Sequence, residues 1–359
     1  MRGQNIKFIW QGAQSLRLPA RYIPEINSVA ITLGSKNYFF FQSINPLNEG
    51  ASIFIAKNKD LLNRLLASKG YPVPKAVAID HKDLLSTPLE LLIKELRFPL
   101  VAKPMADTGR GLDVFCNIKE MHTLTKHVNK LLHEYGSVQI EEFQQYLKEY
   151  RVLVLKNQVI GVVERFAAHV LGDGVHSIKA LIKDINKHRS HGAREETQAA
   201  MLADEECKQC LQEQNYSLNS IPPLGTRIRL SFTVNIGRGG SVMSHGKKIH
   251  PHNTQYLCQA AKILGLDCVG FDVLCEDINS SFRHTQWIII EANFNPDLSI
   301  HENPQQGKRA SVVNKILLQL IYRHPIGYVA HLCRQGLRSV YARTGLLLGC
   351  LYAILHYLT

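Results

Sequence analysis

The sequence predicts an α+β fold of packed lobes, and three observations carry the prediction. A chain of 359 residues, 45% hydrophobic and 20% charged, has room for two or three compact units and the composition of a globular protein. Short apolar runs bounded by Gly, Pro and Asn recur along it as strand signals, some of them joined as hairpins. Between them lie segments with apolar residues at helical spacing. The mixture points to α+β, with α/β as the neighbouring alternative. The same figures exclude a disulfide-stapled miniprotein, a disordered chain and a membrane bundle.

In chain order, Val29-Ala-Ile-Thr-Leu33 and Tyr38-Phe-Phe-Phe41, separated by Gly34 and ended by Pro46 and Gly50, read as strands of a small leading segment. Asn58-Lys-Asp60 then opens a run with Leu61, Leu62, Leu65 and Leu66 at helical spacing, closed by Gly70 and the extended Tyr71-Pro-Val-Pro74. A capped helix therefore leads into a strand at 76–79. Further strands are expected at 98–102 and 138–143, and a hairpin at 151–155 and 159–163 turns on Lys156-Asn-Gln158. Residues 178–214 read as helical and polar, and Pro222, Pro223 and Gly225 return the chain to strand over 227–235. A helix at 255–264, strands at 269–274 and 287–291, and a helix around 312–321 follow.

Charge is unevenly placed. Lys plus Arg is 42 against 30 for Asp plus Glu, a formal excess of +12. From Asn303 to Thr359 there is no acid at all, while Lys308, Arg309, Lys315, Arg323, Arg334, Arg338 and Arg343 contribute seven positive charges, leaving +5 for residues 1–302. This argues against a nucleic-acid face spread along the chain and for a local basic device at the C-terminus. Residues 345–358 are almost wholly apolar, about fourteen residues where a spanning helix needs about 20. Two readings stand: a basic amphipathic helix on an anionic membrane surface, or a terminal helix packed on the body or on a second subunit, which is favoured. The eight cysteines are scattered, and the N-terminus lacks the basic and apolar regions of a signal peptide, so a reducing cytoplasm is expected. Cys207-Lys-Gln-Cys210 has metal-knuckle spacing without a second ligand pair and reads as two helix cysteines.

Three constellations could carry chemistry. Lys103-Pro-Met-Ala-Asp-Thr-Gly109-Arg110-Gly111 is a strand feeding a Gly-containing loop, whose backbone N–H groups can approach phosphate oxygens or simply form a hairpin turn. Phe271-Asp272 and Glu291-Ala-Asn293 place hard oxygen ligands at strand ends, with Glu291 and Asn293 on one face at period two. That set suits magnesium, although both segments could equally be strand-to-turn punctuation. Arg151, Arg165, Arg227, Arg229 and Arg238 lie in or beside expected strands and line either an exposed sheet face or an anion cleft.

These segments follow one another in a set order. Asn58-Lys59 is followed by Phe98-Pro-Leu-Val-Ala-Lys103-Pro, Val138-Gln-Ile-Glu-Glu-Phe143, Glu149-Tyr-Arg151, Val163-Glu-Arg165 through Gly172-Asp-Gly174, Ser217 through Gly225, Gly270-Phe-Asp272, Glu291-Ala-Asn293 and His301-Glu-Asn-Pro304. In that order, from about residue 55 to about residue 321, they resemble the ATP-grasp ligases, in particular the ATP-grasp unit of cyanophycin synthetase and of bifunctional glutamate–cysteine ligase/glutathione synthetase. Two departures stand out: the loop Met105–Gly111 is poorer in glycine than many relatives, and Asn295-Pro-Asp297 replaces their usual Pro-Gly. The sequence leaves no stretch for a Mur-ligase-like continuation or an upstream glutamate–cysteine ligase domain, so polymerisation and two-step synthesis are not carried over.

The resemblance implies an ATP-grasp fold of two α+β lobes clamping ATP: a β-containing segment over 1–55, an N-lobe with the glycine loop over 56–140, a C-lobe with the metal site and a helical insertion over 141–325, and a basic, apolar helical tail over 326–359. It implies joining of a carboxylate to an amine through an acyl phosphate, with ADP and phosphate released. Lys59 and Lys103 would contact the α- and β-phosphates, and Gly109, Arg110 and Gly111 would cover the β- and γ-phosphates. Glu141, Glu142 and Phe143 would line the adenine slot, with Glu149 on the ribose. Asp272, Glu291 and Asn293 would hold one or two Mg2+ ions, for which Mn2+ can substitute. Arg165, with Arg151 and Arg229, would steady the substrate carboxylate and the oxyanion. A cytoplasmic homo-oligomer acting on small molecules is the expected setting. An ATP-grasp phosphotransferase and a catalytically silent nucleotide-binding scaffold are the alternatives.

Overall fold

The structure is a computed structural model that describes residues 1–105, 113–191, 199–234, 236–334 and 340–358. The chain divides into two compact units: 1–46 with 297–302 and 311–359, and 47–296 with 303–310.

The first unit opens with helix α1 (Gln4–Ser15), which the sequence reading missed; it buries Ile6, Ile9, Gly12 and Ala13. Strands β1 (Ala20–Ile23), β2 (Ser28–Leu33) and β3 (Lys36–Phe41) follow as an antiparallel sheet in that order; the two apolar runs predicted β2 and β3, and β1 had no counterpart in the reading.

The second unit begins with α2 (Gly50–Lys57) and α3 (Lys59–Ala67), which meet at Asn58. The Asn58 Oδ1 accepts from the backbone N–H groups of Asp60 and Leu61, both at 3.1 Å, and so fixes where α3 starts. After it come β4 (Ala76–Asp80), α4 (His81–Ser86), α5 (Leu89–Leu92), β5 (Leu100–Pro104), β6 (Phe115–Ile118), α6 (Met121–Tyr135) and β7 (Ser137–Glu142). Their four strands form an antiparallel sheet in the order β4-β7-β5-β6. Leu100, Ala102, Val138 and Ile140 face a core shared with Leu124, Val128 and Leu131 of α6. By strand alternation the opposite face carries Val101, Lys103, Gln139 and Glu141.

The chain then forms the hairpin β8 (Lys148–Leu155) and β9 (Gln158–Phe166), and continues through β10 (His169–Leu171), α7 (Ile178–His191), α8 (Glu205–Glu213), β11 (Arg227–Arg229), β12 (Ser241–Gly246), α9 (Pro251–Ile263), β13 (Cys268–Cys275) and β14 (Trp287–Asn293). With β15 (Gln306–Lys308), past the short helix α10 (Ser299–Glu302) of the first unit, they build a six-stranded sheet in the order β14-β13-β8-β9-β12-β15. Leu62 and Leu66 of α3 and Leu257, Ala260 and Ala261 of α9 cover one face, packed on Val152, Val154, Phe271 and Val273. The other face is left for polar side chains. β10, β11, α7 and α8 form a satellite with its own core of Val170, Ile178, Cys207, Leu211 and Ile228.

Several expectations are corrected. The strand expected over 227–235 covers only Arg227–Arg229, because Phe232 and Thr233 donate their backbone N–H groups to Glu206 Oε1 at 2.9 and 3.2 Å instead of to a neighbouring strand. The helical stretch 178–214 is two helices, α7 and α8. The helix expected from 255 begins at Pro251, where a proline N1 residue lacks only an N–H that has no helical partner anyway. α6 and β12 had no counterpart in the reading.

The chain closes in the first unit with α11 (Val312–Arg323), α12 (Pro325–Arg334) and α13 (Val340–Leu358). Gly12 of α1 allows close approach of α11, since a Cβ there would lie 2.8 to 2.9 Å from atoms of Asn314, Leu317 and Val313. Tyr328 of α12 donates its hydroxyl to Leu16 O at 2.7 Å.

Candidate active site

The polar face of the six-stranded sheet concentrates charge by register alone. Asp272 of β13 lies opposite Arg151 of β8 on one side and Glu291 of β14 on the other, Gly270 lies opposite Asn293, and Glu149 of β8 lies opposite Arg165 of β9. Cross-strand partners point to the same face, so six chemically active side chains converge.

Arg151 grips Asp272 through its side-on fork, Nε to Oδ1 and Nη2 to Oδ2, the latter at 2.8 Å. Arg165 Nη1 reaches Asp272 Oδ2 at 3.0 Å and Glu149 Oε1 at 2.7 Å, and its Nη2 donates to Val234 O at 2.7 Å. Gly270 makes room for this, because a Cβ there would stand 2.9 Å from Arg151 Cδ. Asn293 Nδ2 lies 3.5 Å from both Asp272 Oδ2 and Glu291 Oε2. Lys59, the first residue of α3, brings its Nζ to 3.8 Å from Glu291 Oε1.

The electrostatics follow from burial against these partners. Burial pushes the Asp272 carboxyl up, but Arg151 and Arg165 outweigh it and hold the group below the ordinary carboxylate range. Glu149 goes the other way: burial, with Asp272 and Glu291 nearby, overcomes Arg165 and Arg151 and raises it to about 7.

On the four-stranded sheet, buried Lys103 bonds Glu141 Oε1 at 2.6 Å, and Gln139 Nε2 donates to Glu141 Oε2 at 2.9 Å. Glu142 Oε1 accepts from Arg97 N at 3.0 Å, while the Glu142 and Phe143 N–H groups donate to Lys75 O and Pro99 O at 3.2 and 2.9 Å. Two chain crossings, 71–75 and 143–147, therefore run side by side between the sheets. Phe143 meets Phe232 edge-on at 6.2 Å, and the Arg229 guanidinium lies 4.9 Å over the Phe232 ring. The thiol of Cys116 on β6 is pushed up by burial and by Glu206, Glu141 and Glu149, with Lys103 opposing. Cys116 thus feels charge from both sheets.

The structure brings Lys59, Glu149, Arg151, Arg165, Asp272, Glu291 and Asn293 together and places Lys103, Glu141, Glu142 and Phe143 on the other sheet and its exit. Glu149, expected on a ribose, sits in the arginine–carboxylate cluster. Arg229 stands apart, with Nε 3.1 Å from Cys210 Sγ and Nη2 3.7 Å from Glu213. Cys207 and Cys210 are buried residues of α8, in keeping with their reading as helix cysteines. Gly109, Arg110 and Gly111 lie outside the described residues. Gln139 was missed, although its position two residues before Glu141 on a strand was a sufficient signal.

A divalent cation fits this donor set. Among the described residues no group of three or more His, Cys, Asp or Glu side chains could hold a metal alone. Glu291 and Asn293 offer hard oxygens, and Asp272 Oδ1, engaged once, retains a lone pair. Magnesium characteristically takes one or two carboxylates and completes its shell with phosphate oxygens.

The crystal structure of a bifunctional glutathione synthetase from Pasteurella multocida superposes on 87% of this chain and 44% of its own with a TM-score of 0.59 and 23% identity. The chain has the ATP-grasp fold. Curated proteins also resemble the chain in sequence. Cyanophycin synthetase of Trichormus variabilis is 30% identical over 308 residues, which is 82% of this chain and 33% of that protein. The glutathione biosynthesis bifunctional protein GshAB of Clostridium perfringens is 29% identical over 294 residues, 81% of this chain and 37% of that protein. This ATP-grasp chain thus spans about a third of the length of the curated relatives it matches. No family model matches it.

Proposed function

We propose that the chain is an ATP-dependent ligase that joins a carboxylate to the amine of an amino acid or peptide, with ADP and phosphate as the other products. One observation carries the reading: a cross-strand row of Arg151, Asp272 and Glu291, flanked by Arg165, Asn293 and Lys59, on the polar face of an ATP-grasp sheet. Its similarity to a cyanophycin synthetase and to a glutathione biosynthesis protein supports the same class.

In this proposal Lys59 and Lys103 bind the triphosphate, and Glu141, Glu142 and Phe143 border the base. Lys103 is held by Glu141, so its ammonium is positioned before nucleotide arrives. Arg165 uses both Nη1 hydrogens and one on Nη2; among the described residues, its Nε–H and second Nη2 hydrogen remain to hold a substrate carboxylate. Arg151 acts through Asp272, which it fixes in place. Glu291, Asn293 and Asp272 would hold magnesium, or manganese in its place, which supplies charge neutralisation at the phosphates. No side-chain nucleophile is required, because orienting a carboxylate against the γ-phosphoryl group and then an amine against the acyl phosphate is work of position and charge. The accompanying setting is a homo-oligomer in the cytoplasm, and eight free cysteines support the compartment.

The test is a panel of amino acids and dipeptides assayed for ADP release with mass detection of product. Glu291→Gln is expected to retain nucleotide binding and lose amine-dependent ADP release by about two orders of magnitude or more. Release of AMP, a phosphorylated product lacking the amine, or near-full turnover of the variant would each overturn the proposal.

A further inference from the structure

Among the described helices, α13 exposes the most large apolar side chains. α13 exposes Leu347 (67%), Leu348 (62%), Leu351 (59%), Tyr352 (70%), Ile354 (53%) and Tyr357 (95%); the sequence reading favoured a helix covered by the body or by a second subunit, and these are the side chains left to be covered. At 3.6 residues per turn they spread over roughly 220° of the helix circumference. A helix that docks on one protein groove needs an apolar stripe of about 100°. An arc twice as wide is better matched by a medium that closes around it.

Charge narrows the choice of medium. Residues 326–359 contain three Arg and no Asp or Glu. Two such tails laid together would bring cations against cations. An anionic lipid surface supplies both what the apolar arc and what the charge require. No described helix is long and apolar enough to cross a membrane, and an apolar arc with basic residues beside it is the pattern of a helix lying in the plane of the interface. Tyr352 and Tyr357 are the amphipathic aromatics that settle at headgroup level.

We propose that α13 seats in the plane of an anionic membrane surface, with the basic residues of 326–359 against lipid headgroups. The anchoring is independent of the ligase reading, because it is read without nucleotide or substrate. The experiment is co-sedimentation of the full chain with vesicles of phosphatidylcholine alone and of phosphatidylcholine with phosphatidylserine. Binding to the mixed vesicles is expected, weakening as salt rises. Leu348→Glu with Leu351→Glu, at exposed positions that leave the fold intact, should weaken it more than about tenfold. Arg334→Glu with Arg343→Glu should weaken it by about fivefold or more for each residue. Absence of binding to the mixed vesicles, or equal binding to both kinds, overturns the proposal. So does a smaller solution mass by light scattering for the Leu348→Glu, Leu351→Glu variant with no vesicle binding by the parent chain, which would make α13 a contact between copies.

Discussion

Glu149 and Asp272 are carboxylates a few ångströms apart that the protein treats in opposite ways. Asp272 is enclosed by two guanidinium groups and stays ionised, whereas Glu149 shares only Arg165 and is raised by burial to about 7 from an ordinary 4.5. A raised carboxyl favours folding while it can keep its proton; the contribution is complete below the ordinary value and disappears as pH climbs through the folded one. The nucleotide-free chain should therefore lose roughly 1–3 kcal/mol of stability between about pH 5 and about pH 8 on this account. Glu149→Gln, which mimics the protonated acid, should flatten that loss. Urea unfolding of both proteins at the two pH values checks it, and parallel curves would refute it. The metal-site candidates themselves were legible, since Glu291 and Asn293 sit at strand period and Asp272 interrupts an apolar run. What could not be read was the grip of Arg151 on Asp272, because it depends on the register of strands 121 residues apart.

Among elements, legibility followed apolar density. β5, β7, β13 and β14 are rich in buried apolar residues and were placed from sequence within a residue or two, and β8 within three. β12, Ser241–Gly246, has scarcely an apolar run and is a strand because β9 and β15 flank it. α1 carries its signal in Ile6, Ile9 and Ala13, but the element is stabilised by α11, three hundred residues away, with Gly12 at the contact. That contact gives the prediction proper to this scale. Gly12→Val has no space for its methyl groups and should cost about 1–3 kcal/mol by overpacking, read as a lower thermal midpoint, while catalysis at temperatures where the chain remains folded is unchanged. An unaltered midpoint would mean that α1 is not bound to α11 in solution.

Across the larger unit, β6 and the residue just after it meet α8 at Glu213. This α8 carboxylate accepts from Asn117 Nδ2 at 2.5 Å and from Lys119 Nζ at 2.6 Å, both just after the segment that follows β5. Glu213→Ala should release β6 from the helical satellite and raise the KM for ATP severalfold with a thermal midpoint within a degree or two of the parent, since a half-exposed pair is worth about 1 kcal/mol or less. Equal KM values would show that this contact has no part in holding nucleotide. The paired crossings at 71–75 and 143–147, tied by Glu142 N to Lys75 O, have a mechanical consequence. A body suspended from two adjacent tethers can swing about the line that joins them, but it cannot slide sideways or twist freely. The many coordinates of a moving lobe thereby reduce to one angle, and a single pair of distance labels, one on α6 and one on α9, would follow the whole of its travel.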